Sequence, residues 1–205
     1  MSILAAYAVP HPPLIIPAIG AGREQEISAT VRAYHEVMRA AAELRPDTIV
    51  IISPHATAYD DFFHISPGAG AEGNFAAFGH PEISVGIPYD EDFVRVLSAF
   101  AGEKELPAGT LGEKHPSLDH GTMIPLFFLS EYLGDAPTKF VRIGIAGLPA
   151  HTHALLGQLI AATAEQLGRR TVCIASGDLS HRLTEGGANG FAPEGAEFDE
   201  LCTSF

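Results

Sequence analysis

The chain has 205 residues, of which 46% are hydrophobic and 18% charged, enough apolar material for one sizeable core and too much for wholesale disorder. Acidic side chains outnumber basic ones 25 to 12, for a formal net charge of −13. A chain this acidic repels phosphate backbones and anionic lipid, so neither nucleic acid nor a membrane surface is an expected partner.

No apolar stretch approaches the roughly 20 residues of a bilayer span. The N-terminus lacks the charged and small-residue regions of a signal peptide. Two cysteines, Cys173 and Cys202, make no disulfide framework, and the expected compartment is the cytoplasm.

In chain order, residues 2–9 form an apolar run that stops at Pro10 and reads as a buried strand. Pro10, Pro12, Pro13 and Pro17 make 10–22 a stiff loop. Ile27, Val31, Tyr34, Met38 and Ala41 share one helical face between Glu24 and Arg45, and Arg45-Pro46 ends that helix. Residues 47–52 are a second buried strand, so strand, helix and strand make a crossover between parallel strands. Short strands are expected over 61–66 and 82–87, separated by a Gly-rich 68–79 segment. A helix over 91–101 is capped by Asp90, 105–118 is loop, and a helix runs from Thr122 to Leu133 with Pro125 in its first turn. Lys139–Ala146 is a strand, His151–Leu167 a helix and Thr171–Ala175 a strand. The alternation predicts one domain over 1–205, an α/β fold built as a three-layer α/β/α sandwich with a largely parallel central sheet. Phe198, Leu201 and Phe205 begin an amphipathic helix with no stop signal after it, so a further C-terminal segment is expected.

Ten histidines carry most of the chemical information. His11 follows the first strand in Val9-Pro10-His11-Pro12-Pro13, and His55 follows the second in Ser53-Pro54-His55-Ala56. His181 follows the last strand in Ser176-Gly177-Asp178-Leu179-Ser180-His181. Ligands of open α/β sheets bind outside the carboxyl ends of the strands, so these three can converge. Prolines beside two of them stiffen the loops, as a metal site requires. His120, in Leu118-Asp119-His120-Gly121, opens a helix and can join the same crevice, with His115 as a supporting group. His35 is expected in solvent, His64 to alternate outward between Phe63 and Ile65, His80 in a turn, and His151 and His153 in solvent at a helix start. Gly68, Gly70 and Gly73 match G-x-G-x-x-G without a following helix start, and no nucleophile elbow or Walker loop occurs. Ser176 and Ser180 beside His181 lack an orienting third group, and Cys173, mid-strand, is expected buried and inert.

Val-Pro-His-Pro-Pro, Ser-Pro-His-Ala, Leu-Asp-His-Gly-Thr-Met-Ile-Pro-Leu and Ser-Gly-Asp-Leu-Ser-His, in this order, resemble the LigB-type class III extradiol ring-cleavage dioxygenase superfamily. Ser176–Leu183 is most similar to bacterial LigB-like proteins that accompany AMMECR1 domains, and the related Memo branch need not cleave rings. The resemblance implies a mononuclear non-haem Fe(II) site that opens a catechol-like aromatic with O2. By that resemblance His11 and His55 would be metal ligands, His181 the acid/base residue and His120 a contact to substrate or oxygen; His115 is added as a further substrate contact only because it lies close to His120 in the chain. A histidine titrating near neutral pH suits both proton uptake from a catechol and proton return. The resemblance puts a carboxylate ligand beyond the last motif, where Glu185, Glu194, Glu197, Asp199 and Glu200 fit poorly, so the third ligand is expected downstream of residue 205. Some relatives replace that carboxylate by histidine and iron by zinc. A Memo-like metal-binding protein and a zinc hydrolase are therefore the alternatives. The expected partners are a small aromatic substrate and O2, with a homo-oligomer left open.

Overall fold

β-Branched and aliphatic runs bounded by prolines and glycines set the frame. A computed structural model describes residues 2–187 and 189–204. In chain order its elements are β1 (Ile3–Val9), α1 (Pro17–Gly20), α2 (Ser28–Glu43), β2 (Thr48–Ser53), β3 (Phe63–His64), β4 (Gly70–Phe75), β5 (His80–Pro88) and α3 (Glu91–Glu103). They continue with β6 (Ala108–Gly109), α4 (His120–Leu133), β7 (Lys139–Gly144), α5 (Ala150–Leu167), β8 (Thr171–Ser176) and α6 (Pro193–Thr203).

The central sheet is wholly parallel, in the order β1-β8-β2-β7. β2 lies in its interior, and Ile49, Val50 and Ile51 are fully buried, as a strand covered on both faces must be. Ile49, Ile51, Phe140, Val172 and Ile174 face a core shared with α2 and α4. Val50, Val141 and Ile143 face a second core shared with α3 and α5. This is the expected three-layer sandwich. Asp90 caps α3 as expected, its carboxylate accepting from the Phe93 N–H at 3.2 Å, and it also takes the Thr48 hydroxyl at 2.6 Å. None of the helices is long and apolar enough to cross a membrane among the described residues.

Several expectations need correction. The helix expected from Glu24 begins as a 3-10 turn over Arg23–Ile27, and α2 starts at Ser28. The Gly-rich segment is a strand: β4 pairs antiparallel with β5. Its glycines permit close approach, since a Cβ on Gly70 would stand 2.4 Å from the Ile87 carbonyl oxygen. The strand expected over 61–66 is reduced to β3, which pairs with β6 inside the expected loop. His64 points inward, not outward. It is fully buried beside the sheet, because Phe63 and Ile65 take the α3–α5 core on the opposite side. His35 is half-buried, its Nδ1 2.8 Å from the Tyr132 hydroxyl, and the His153 ring stands edge-on to Phe63. α6 forms with Phe198 52% and Leu201 60% exposed, and Phe205 lies outside the described residues.

Candidate metal centre

The parallel register delivers the site. Val9 pairs with Ser176 and Ile52 with Ala175, so the residues after β1, β2 and β8 leave the same end of the sheet together. His11, 3% exposed, and His55 bring their Nε2 atoms to 3.1 Å. The His120 ring, at the start of α4, stands 4.1 Å from that of His55 and 5.5 Å from that of His11. One nitrogen of each of the three lies within 4.8 Å of the others, a group able to hold a metal ion. Two metal–nitrogen bonds of about 2.0–2.1 Å span about 3 Å when they meet near a right angle, so the His11–His55 separation suits one shared ion. Burial, chiefly, pushes the His11 imidazole below its ordinary pKa against an upward pull from Asp178. Burial does the same to His120, with His55 and His11 adding to it. Neutral imidazoles are the form that binds metal.

Beneath the rings lies a polar layer centred on Asp119. Its Oδ1 accepts from the Ser53 hydroxyl at 2.6 Å and the Thr122 N–H at 2.9 Å. Its Oδ2 accepts from the Thr122 hydroxyl at 2.8 Å and Arg142 at 2.9 Å. Burial opposes the Asp119 charge, but the Ser53 and Thr122 hydrogen bonds and the Arg142 guanidinium together hold its pKa below the ordinary range. Ser53 Oγ accepts from the His55 N–H at 3.1 Å, and fully buried Arg142 donates to the His115 carbonyl at 3.0 Å. One carboxylate thus ties together the segments that carry His55 and His120. Gly121 allows the fit: a Cβ there would meet Ser53 Oγ at 2.6 Å and His55 Cδ2 at 3.1 Å. Ser176 Oγ lies 2.9 Å from His11 Nδ1 and 2.6 Å from the Gly121 carbonyl oxygen, so it belongs to the histidine support.

On the other side of His11 and His55 lies a cavity of about 400 Å³, lined by both residues, Pro54, Ile145, Ser176, Asp178, Leu179 and His181. Asp178 Oδ1 accepts from the His11 N–H at 2.8 Å, while Oδ2 is 3.3 Å from His181 Nε2 and 3.6 Å from His11 Nε2. Asp199 of α6 holds the segment in place by accepting from the Ser180 N–H at 2.7 Å. His181 therefore reaches the cavity, with its side chain 61% exposed. The side chain of His115 is exposed and is not among the cavity-lining residues; its backbone instead bonds to Thr57, Glu113 and Arg142. A larger hollow of about 560 Å³ at the opposite end of the sheet, lined by Arg39, Arg45, Asp47 and Arg170 among others, contains no histidine. Burial pushes the half-buried Cys173 thiol up to about 11, which leaves it inert.

Asp178, Asp119, Gly121, Ser176 and Arg142 were not singled out from sequence as site residues, Ser176 having been weighed only as a nucleophile and set aside. The first four lie inside the strand-end and helix-start motifs, so the histidines already marked them. Arg142 had one signal, a guanidinium in the otherwise apolar run Phe140–Ile143.

An α/β sandwich with clustered histidines at the carboxyl end of a parallel sheet has a ligand-binding crevice at its strand ends, lined by donors that could hold a metal. The family described as the catalytic LigB subunit of aromatic ring-opening dioxygenase matches residues 5–203, and the chain belongs to that family. It is similar to Protein CA_C1420 of Clostridium acetobutylicum, 31% identical over 207 residues that cover 98% of this chain and 44% of that protein. It is also similar to a 3,4-dihydroxyphenylacetate 2,3-dioxygenase of Escherichia coli, 26% identical over 162 residues, 76% of this chain and 57% of the enzyme. The chain spans about half the length of these curated relatives.

Proposed function

We propose that this chain carries the metal site of an extradiol dioxygenase that opens the ring of a catechol-like aromatic with O2, using Fe(II). The observation that supports this most is the 3.1 Å approach of His11 Nε2 and His55 Nε2 in a chain of the LigB family. His11 and His55 would hold the ion. Bound iron would supply chelation of the two catechol oxygens and activation of dioxygen. Asp178 keeps Nε2–H of His181 as donor, which leaves Nδ1 free to take a proton from a substrate hydroxyl and return it to the opened product. His120 is not among the cavity-lining residues, but its ring stands 4.1 Å from that of His55, and it would hydrogen-bond a substrate held at the ion. Pro54, Ile145 and Leu179 offer the apolar wall on which an aromatic ring can lie. Asp178 is the carboxylate of the cavity, whereas Glu185, Glu194, Glu197, Asp199 and Glu200 do not line it. His115 is left out of the proposed site.

The His11–His55–His120 group favours a second reading, because three imidazoles are a zinc set. On that reading the chain binds zinc for hydrolysis or for a role without ring cleavage. Anaerobic loading with Fe(II), followed by oxygen uptake with a panel of catechols, separates the two. The expected result is uptake by the iron form, abolition of metal binding in His55→Ala, and retained iron with turnover reduced about 10²–10⁴-fold in His181→Ala. An iron-loaded protein inert toward every catechol would overturn the oxygenase reading.

A further inference from the structure

A proline inside a helix has no N–H for the carbonyl four residues back, and its ring pushes that carbonyl outward. In α4 the proline is Pro125 and the stripped carbonyl is that of Gly121. The Ser176 hydroxyl takes the vacant place, donating to Gly121 O at 2.6 Å. A hydroxyl has one proton. With that proton spent on a carbonyl, Ser176 Oγ can only accept from His11 Nδ1, 2.9 Å away. Nδ1 must then carry the imidazole proton, and Nε2 presents a lone pair toward His55 Nε2 at 3.1 Å and Asp178 Oδ2 at 3.6 Å. A lone pair facing a carboxylate oxygen is a poor pairing by itself and a good one around a cation.

We propose that Pro125, Gly121 and Ser176 form a positioning relay that fixes His11 as its Nδ1–H tautomer and so keeps Nε2 ready for metal. The proposal rests on the metal reading above. The proton order runs in one direction: His11 Nδ1–H to Ser176 Oγ, and Ser176 Oγ–H to Gly121 O. Restoring a backbone donor at position 125 gives Gly121 O a helical partner; its second lone pair can still accept, but the carbonyl no longer depends on the serine, which is free to rotate. Ser176 can then donate to His11 Nδ1, which moves the ring proton to Nε2 and blocks the ligand atom. The same proline that interrupts α4 therefore orients a ring on β1's loop through β8.

The test uses the metal-free chain with 15N-labelled histidine, followed by Zn(II) and Fe(II) titration. Ring nitrogen shifts of the parent should report His11 as Nδ1–H. Pro125→Ala should populate the Nε2–H form and weaken Zn(II) binding while leaving the melting temperature unchanged or higher. Ser176→Ala should weaken Zn(II) binding about 10–100-fold, the range for lost outer partners of metal-bound histidines. An Nε2–H tautomer in the parent, or unchanged tautomer and affinity in Pro125→Ala, overturns the relay. If the parent binds neither ion, the metal reading fails, and the ring nitrogen spectra alone still decide the relay.

Discussion

The two sides of the histidine cavity are built differently. The His11 ring is held by Ser176, and the segments that carry His55 and His120 are tied together by Ser53, Asp119 and Arg142; these supports come from β2, β7, β8 and the entry to α4. His181, facing them, hangs on Asp178 at 3.3 Å in a segment braced by Asp199 of α6, where Leu179, Leu183, Phe191, Phe198 and Leu201 are exposed. A ligand set needs fixed atoms, and the supported side provides them through strand ends and a buried carboxylate. A proton-handling ring needs access to solvent and substrate, and the open side provides that.

The hardest blow to the supported side is Asp119→Ala. It strands fully buried Arg142 without its carboxylate, and breaking a buried pair this way costs about 3–5 kcal/mol. Urea unfolding of the metal-free protein checks it, and a loss below about 1 kcal/mol would show that the polar layer is dispensable. Next comes Gly121→Ala, whose methyl would crowd Ser53 Oγ and His55 Cδ2, with an overpacking cost of about 1–3 kcal/mol. Zn(II) titration should show weakened binding as His55 is displaced, and full affinity in this variant would mean that the ring need not sit against the glycine.

Acid sharpens the contrast further. Burial lowers the pKa of His64 from 6.5, with Glu113 pulling it up and Arg142 down. The unfolded chain therefore takes up the proton first as pH falls through 6.5, and the folded protein loses stability below that point. His11 and His120 act in the same sense in the metal-free protein. His64→Leu should flatten the fall in melting temperature between pH 7 and pH 5, and an unaltered slope would acquit His64. The smallest effect belongs to the open side: Phe198→Ser and Leu201→Ser should each move stability by no more than about 0.5 kcal/mol, because both residues are more than half exposed. A larger drop on melting would mean that α6 has a covering partner in solution.

Strand ends were legible because each buried run stops at a proline or glycine, and the histidines that follow inherit their place from parallel topology. The Asp119-His120-Gly121 turn was legible as a helix start. The hairpin of β4 and β5 was not, since glycines needed for backbone approach read as a connector. His64 was misplaced because alternation gives two faces without saying which faces the sheet. The partnership of Arg142 with Asp119 was hidden for another reason: the pair is 23 residues apart and local pattern carries no charge pairing at that range. Pro125 was visible as a residue of the first helical turn, but its effect on Gly121 O matters only once β8 brings Ser176 alongside.

β8 lies between β1 and β2, although among the described residues it is the last strand of that sheet in chain order. Until residues 171–176 leave the ribosome, β1 and β2 are separated by a gap that no earlier segment fills, and both keep an open hydrogen-bonding edge. Loop-closure entropy over most of the chain must be met before that gap closes, which makes late, concerted assembly the natural order and leaves the nascent chain in need of protection from pairing with its neighbours.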